Sequence, residues 1–328
     1  MSTVVQIEYR GDLVPYDYEI AELAKVGAEL RVVNPATADA VVAAANDADV
    51  VWLEWTPALT RDVLSRLPRC GLVLRWGVGY DTIDVDAATD LGIAVANAPS
   101  YCTTDVAEHA VALLLSVSRQ VAFRHEQMRR GEWRVGGASQ RRLAGATIGV
   151  IGLGRIGRRV AELGTAFSAH VIGYDPFVDG VPGVENVTFE ELLGRADYIT
   201  VHVPLSDATR HLIRAESIAR MKPDAVLINT SRGAVVRQDD LVEALTAKRI
   251  RAAALDVFED EPLPADHPIR RVPNAVLTPH EGAFSPQSMD DLRAEICNAT
   301  IDWLTTGWAE SIVNPQVRDR RRFAATGD

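Results

Sequence analysis

The sequence predicts an α/β protein with two doubly wound parallel sheets. Three observations carry that expectation. Short β-branched runs alternate with helical patterns over the first hundred residues, a second alternating series opens near Thr147, and a long helical stretch separates the two. Strand–helix alternation at this spacing produces parallel sheets with helices on both faces.

In the first series the expected strands are Val4–Ile7, Leu30–Val33, Val50–Leu53, Leu72–Leu74 and Ala94–Ala96. Helical patterns lie between them, such as "TRDVLSRL", where Thr60 is placed to cap the first turn. The polar break "NAPS" follows, and then a helical pattern from about Thr104 to Arg130, stopped by Gly131. The second series offers strands at Thr147–Ile151, His170–Gly173, Tyr198–Val203, Ala225–Asn229, Ala252–Leu255 and Ala275–Leu277. Ser285 and Pro286 then suit the N-cap and first position of a final helix. Its apolar stripe runs through Met289, Leu292, Ile296, Ala299 and Trp303. The tail "RDRRRFAATGD" loses the pattern and is expected to fray. These limits predict one domain from residues 1–99 plus 287–328, flavodoxin-like in winding, and a second from 100–286. The last helix is expected to return to the first domain and leave an inter-domain cleft.

At 328 residues the chain is long enough for two cores. A net charge of −11 argues against nucleic acid and anionic membranes as partners. The three cysteines, Cys70, Cys102 and Cys297, show no CxxC spacing, and the start "MSTVVQIEYRG" shows no signal-peptide pattern. A cytoplasmic protein is expected. No HExxH or Cys/His cluster suggests a metal.

"VIGLGRIG" places Gly152, Gly154 and Gly157 in GxGxxG spacing, between a β-type run and a helical stretch. That context turns a weak motif into a dinucleotide fingerprint. One glycine makes the tight turn, one admits the pyrophosphate, and one lets helix pack on strand. Asp175 ends the next strand, 18 residues past Gly157, where a carboxylate accepts the ribose hydroxyls and repels a 2′-phosphate. The reading is a Rossmann-like domain that binds NAD in preference to NADP. His202 and Pro204, in "VHVPL", fall beside the expected adenine position, and Ser231 lies beside Thr230 at a later strand end.

Three later segments also end strands: "LINTSRG" with Arg232, "AALDVFEDEP" with Asp256 and Glu261, and "VLTPHEG" with His280. Ligands of open parallel sheets bind outside the carboxyl ends of the strands. Arg232 offers a planar fork of donors for a carboxylate or carbonyl. His280 can give a proton to a carbonyl oxygen and take it back. Glu261 can bond the other imidazole nitrogen and hold the ring. Singly, each of the three has an ordinary structural reading; together at one sheet edge they read as a catalytic set.

The chain resembles the D-isomer-specific 2-hydroxyacid dehydrogenases along nearly its whole length. The resemblance rests on "RWGVGYDTIDVDAATDLGIAVANAP", "DVAEHAVALLL", "LAGATIGVIGLGRIG", "VHVPL", "INTSRGAVV", "AALDVFEDEP" and "LTPH", in the family's order. It implies that Arg232, Glu261 and His280 are the catalytic arginine, acid and histidine. It further implies that Arg155, Ile156, Asp175, Thr230, Asp256 and Gly282 line the NAD site. The backbone of Gly77, Val78 and Gly79 would hold the substrate carboxylate, and a homodimer would form around the 104–130 helix. The reaction implied is interconversion of a 2-oxo acid and a D-2-hydroxy acid.

Two departures stand out. Where the family often carries a polar pair including a cation, this chain reads "VVWLEWTPALT", with Trp52, Glu54 and Trp55. Glu54 and Trp55 are candidate substrate-side-chain contacts, suited to a bulky apolar, hydroxylated or amine-bearing group; the alternative is that the tryptophans pack the core. Glu281 follows the candidate histidine, as a rim residue or a charge near it. His109, inside the long helix, reads as packing or interface. "HEGAF" and "DLGIAVANAP" are also similar to the C-terminal-binding-protein corepressors, so an NAD-sensing interaction module is the alternative. Glutamate at position 261 disfavours a formate dehydrogenase.

Overall fold

The computed structural model describes residues 1–8, 15–133, 135–136 and 140–322. It divides into two units, Met1–Cys102 with Ser285–Asp328, and Thr103–Phe284. The sequence reading set the junctions at 99/100 and 286/287.

The first unit opens with β1 (Ser2–Ile7), α1 (Asp17–Ala24), β2 (Ala28–Val33), α2 (Ala38–Ala45) and β3 (Val50–Leu53). It continues with α3 (Arg61–Ser65), β4 (Leu72–Arg75), α4 (Val85–Asp90) and β5 (Ala94–Ala96). All five strands are parallel, in the order β2-β1-β3-β4-β5. Such sheets carry apolar side chains on both faces because helices cover both. Val4, Trp52, Leu72 and Leu74 pack on one side with the last helix; Val5, Ile7, Val51 and Val73 pack on the other. Trp52 is fully buried and its indole N–H donates to Thr300 Oγ1 at 2.8 Å, so it belongs to the core.

The second unit holds α5 (Thr103–Arg119), α6 (Val121–Arg129), β6 (Thr147–Ile151), α7 (Arg155–Ala166), β7 (His170–Tyr174) and β8 (Glu185–Asn186). Then come α8 (Phe189–Arg195), β9 (Tyr198–Val201), α9 (Ala215–Ile218), β10 (Val226–Asn229), α10 (Gln238–Thr246), β11 (Ala252–Leu255) and β12 (Ala275–Leu277). Seven parallel strands run β12-β11-β10-β9-β6-β7-β8. Winding reverses between β6 and β9, and ligands of doubly wound sheets bind at that switch point. The final helix, α11 (Pro286–Thr306), belongs to the first unit. Ser285 caps it by accepting the Ser288 N–H, and Leu292, Ile296, Ala299 and Trp303 are buried.

Four local expectations are corrected. The helical pattern from Thr104 to Arg130 is two helices bent by 61°, because Gln120 sits in the left-handed region at φ 57°. Thr60 occupies an N-cap position with extended backbone, but its side chain makes no cap bond. The strand expected through Val203 ends at Val201, and the two-residue edge strand β8 carries no sequence signal. The tail expected to fray from Arg318 begins inside a short 3-10 turn, Pro315–Asp319, which holds Arg318 and Asp319; residues 323–328 lie outside the described residues. No single helix among the described residues is long and apolar enough to cross a membrane.

Candidate active site

The turn after β6 is built by its glycines. Gly152 has φ +93°, and a Cβ there would meet the His202 carbonyl oxygen at 2.7 Å. A Cβ on Gly157 would lie 1.9 Å from the Gly152 carbonyl oxygen, so helix α7 can start this close to β6 only with glycine. Gly154 is exposed and faces open space. The first N–H groups of α7, at exposed Arg155 and half-buried Ile156, open onto the carboxyl edge of the sheet. Asp175, just past β7, accepts the Leu153 N–H at 2.8 Å with one oxygen and the Phe177 N–H at 2.9 Å with the other. The glycine turn and the carboxylate are thereby held together. His202 lies just past β9, with Nε2 2.8 Å from Thr200 Oγ1; enclosure pushes its pKa down to about 4 and leaves it neutral at pH 7. Pro204 is exposed two residues further on.

Three loops meet on the other side of the switch point. Register aligns Asn229, Leu255 and Leu277 as the ends of β10, β11 and β12. The Asn229 side chain accepts the Ser231 N–H and donates to the Arg232 carbonyl, shaping the loop that presents Arg232. Arg232 Nη1 donates to the Ser231 carbonyl at 2.9 Å. Gly233 packs so tightly on the Phe258 backbone that a Cβ would sit 1.8 Å from it, which closes the Arg232 loop onto the Glu261 loop. Glu261 Oε1 accepts the Phe258 N–H at 2.8 Å, and Oε2 lies 2.7 Å from His280 Nδ1. The His280 and Glu261 side chains are 19% and 21% exposed, enough to meet a ligand while keeping the bond partly shielded.

His280 itself has φ 56°, a left-handed backbone that the surroundings must hold in place. Asp256 does much of that. Its backbone carbonyl accepts the His280 N–H at 2.7 Å, and its carboxylate accepts the Thr278 hydroxyl (2.6 Å) and the N–H groups of Glu281 (2.9 Å) and Gly282 (2.8 Å). His109 Nε2, from α5, stands 3.0 Å from Thr278 Oγ1 and 3.3 Å from Asp256 Oδ1. Burial alone would raise the Asp256 pKa, but the bonds from His109, Thr278, Glu281 and Gly282 outweigh it and hold it down to about 2. A Cβ on Gly282 would press on Asp256 and His109, so this glycine serves the packing of the loop. Asp256 is 1% exposed and His109 supports it, a role the sequence reading of His109 as packing or interface misses. The signal available was its position on the α5 face that meets β11 and β12.

In the first unit, Gly77 (φ +142°), Val78 and Gly79 follow β4, and the Asn97 side chain donates to the Val78 carbonyl at 2.7 Å. The Arg75 guanidinium lies against Gly77 and over the Trp55 ring, 5.5 Å from its centre. Glu54 and Trp55 are half-buried just past β3.

The residues present fit a dinucleotide. Besides the open Gly154, Thr230 just past β10 is 9% exposed, and among the described residues its hydroxyl has no hydrogen-bond partner, an orphaned buried polar atom at the same sheet edge.

Fold and site together define a dinucleotide-binding protein with two doubly wound units. Residues 111–282 match the family model for the NAD binding domain of D-isomer specific 2-hydroxyacid dehydrogenases. A D-3-phosphoglycerate dehydrogenase of Methanocaldococcus jannaschii is 40% identical over 89% of this chain and 56% of its own length. A glyoxylate reductase of Aeropyrum pernix is 40% identical over 78% of this chain and 79% of its own. Among solved structures, an acyclic imino acid reductase in complex with NADPH and D-Arg superposes with TM-score 0.88 at 29% identity, over 94% of this chain and 99% of that one. The chain belongs to the D-isomer-specific 2-hydroxyacid dehydrogenase family. It spans about half the length of the phosphoglycerate dehydrogenases it matches.

Proposed function

We propose that the chain is an NAD-dependent reductase of 2-oxo acids to D-2-hydroxy acids, working in the cytoplasm as a homodimer. The observation that carries this reading is the Phe258–Glu261–His280 relay at 2.8 and 2.7 Å. With Nδ1 donating to Glu261, the Nε2 of His280 is the nitrogen that exchanges a proton with the substrate oxygen. Arg232 binds the carboxylate and C2 oxygen of the substrate through its fork, with the backbone of Gly77, Val78 and Gly79 as the second hold on the carboxylate. A bound nicotinamide dinucleotide supplies the hydride that reaches C2. Gly152, Gly154, Arg155, Ile156 and Gly157 hold its pyrophosphate. Asp175 takes the ribose hydroxyls, His202 and Pro204 flank the adenine, and Thr230, Ser231 and Gly282 border the nicotinamide end. Asp256 acts through the loop it holds. The negative charge of Asp175 favours NADH over NADPH.

Support for the dimer comes from Val121, Phe123 and Met128 on α6 and Trp133 beyond it, large apolar side chains 59%, 45%, 52% and 78% exposed. The three cysteines are buried thiols outside any disulfide, in keeping with a reducing compartment.

The test is NADH oxidation with glyoxylate, pyruvate and hydroxypyruvate. Turnover by the wild type and a loss of roughly 10²–10⁴-fold in kcat for His280→Gln are expected. A wild-type chain that binds NADH but reduces no 2-oxo acid would favour the interaction module. Light scattering tests the dimer, with Phe123→Asp expected to yield monomer.

A further inference from the structure

The carboxyl edge of the first sheet holds a second polar cluster, made entirely of that unit's residues. Register sets Gln6 opposite Trp52 and Trp52 opposite Leu74 on β1, β3 and β4. Side chains alternate faces along a strand, so Gln6, Glu8, Trp52, Glu54 and Trp76 share one face. Just past the paired residues, the Glu54 N–H donates to the Ile7 carbonyl (3.1 Å) and the Trp76 N–H to the Leu53 carbonyl (2.8 Å). Glu8, Glu54 and Trp76 therefore form the last row of the sheet, with Gln6 and Trp52 in the row behind. Tyr16 closes over them: its hydroxyl donates to Glu8 Oε1 at 3.2 Å, and its ring meets Trp76 edge-on at 5.9 Å.

Glu8, Gln6 and Trp76 leave this row unbalanced among the described residues. Glu8 is 9% exposed, and among the described residues no lysine or arginine pairs with it; Arg293 is committed to Glu19 at 2.6 and 2.7 Å. A carboxylate this buried with one neutral donor is costly unless a cation joins it. Gln6 is fully buried, yet among the described residues neither its amide oxygen nor its amide nitrogen has a partner, and the Trp76 indole N–H, 6% exposed, also lacks one. Burial first, then the Glu8 and Glu54 carboxylates, push the Tyr16 phenol well above its ordinary pKa, so it stays a donor to Glu8.

We propose that this row is the substrate's side-chain subsite and selects a 2-oxo acid whose side chain ends in a guanidinium or ammonium group; the assignment rests on the 2-oxo acid reading above. Carboxylates and the Gln6 amide oxygen accept its N–H groups, and the aromatic rings of Tyr16 and Trp76 attract its charge. Anionic side chains, phosphorylated ones included, meet Glu8 and Glu54 and are repelled. The dimensions agree. Gly77, in the proposed carboxylate hold, directly follows Trp76, and β1 lies two strands from β4, about 9–10 Å at ordinary strand spacing. A three- or four-methylene chain between carboxylate and cation spans roughly 8–9 Å by standard bond lengths.

The experiment has two readouts. In NADH oxidation, 2-oxo-5-guanidinopentanoate is expected to show kcat/KM at least about tenfold above 2-oxohexanoate, with 2-oxoadipate lowest; tenfold corresponds to about 1.4 kcal/mol. Glu8→Gln should remove most of that preference through KM, while NADH affinity, set by the second unit, equals that of the wild type and shows that the variant folds. Equal loss for all three acids, or a wild-type preference for the neutral or anionic one, overturns the subsite and leaves the reductase reading standing. Calorimetry with D-arginine is independent of turnover. Binding by the wild type that is lost in Glu8→Gln supports the subsite even where no oxo acid is reduced; no binding by the wild type overturns it.

Discussion

One oxygen of Glu261 accepts the Phe258 N–H and the other faces His280 Nδ1, so the carboxylate fixes both its own loop and the imidazole. Glu261→Gln preserves shape but offers His280 Nδ1 an amide in place of a carboxylate. We expect kcat to fall roughly 10–100-fold with KM nearly unchanged, the mark of an interaction used in the transition state. Steady-state rates on the best 2-oxo acid check it. Asp256 is tested through stability instead. Its folded pKa, about 2, lies below the ordinary 3.8. The charged form therefore contributes stability that is fully present above about pH 4 and is lost as pH falls toward 2. The shift corresponds to about 2 kcal/mol. Asp256→Asn should be less stable than the wild type at pH 6 by about that amount, with the gap closing between pH 4 and 2; urea unfolding across that range measures it. At this scale the strand ends carrying Arg232, Asp256 and His280 are legible in the sequence, because β-branched runs stop where polar residues begin. Gln6, Glu8, Tyr16 and Trp76 are not. Their meeting depends on the register of three strands and on a helix-capping residue folding over them, and no local pattern encodes either.

Elements are legible where their residues disagree with every alternative. "VIGLGRIG" admits one reading because Gly157 leaves no room for a Cβ beside the Gly152 carbonyl, and the β6–turn–α7 unit appears where expected. The α5–α6 break is the counterexample. Gln120 is an ordinary helix residue by propensity, yet its backbone is left-handed at φ 57° where α5, with Val106, Ala110, Leu113 and Leu114 buried, meets α6, and propensity alone does not mark such a break. Gly157→Ala tests the tight turn. The added methyl meets backbone, which cannot swing aside as a side chain can, so the turn and the first N–H groups of α7 must shift. NADH affinity, followed by fluorescence, should weaken at least tenfold. Gly154→Ala meets nothing within 4 Å of the protein and should leave stability unchanged, so any loss of affinity there reports on the ligand alone.

Taken over the whole molecule, all three cysteines lie in the first unit, Cys70 and Cys102 before the crossing and Cys297 on α11 after it. None of them is in a disulfide, and each is buried. Burial pushes the thiols of Cys70 and Cys297 up to about 12, far from the thiolate that disulfide reagents need. The folded chain should therefore release no chromophore from an aromatic disulfide reagent at pH 8, and three equivalents in strong denaturant. Buried Trp52 and Trp303 belong to the same core cluster as Cys297. Loss of native tryptophan fluorescence and gain of thiol reactivity should then share one denaturant midpoint. The two segments of the first unit are joined through that cluster, since Trp52 on β3 bonds Thr300 on α11 across 248 residues of sequence. Thr300→Val leaves the buried indole N–H without an acceptor, a loss of about 1–3 kcal/mol. It should move both signals together to lower denaturant. If Cys297 alone became reactive in this variant while fluorescence held, α11 would detach before the sheet unfolds, and the first unit would not be a single cooperative body.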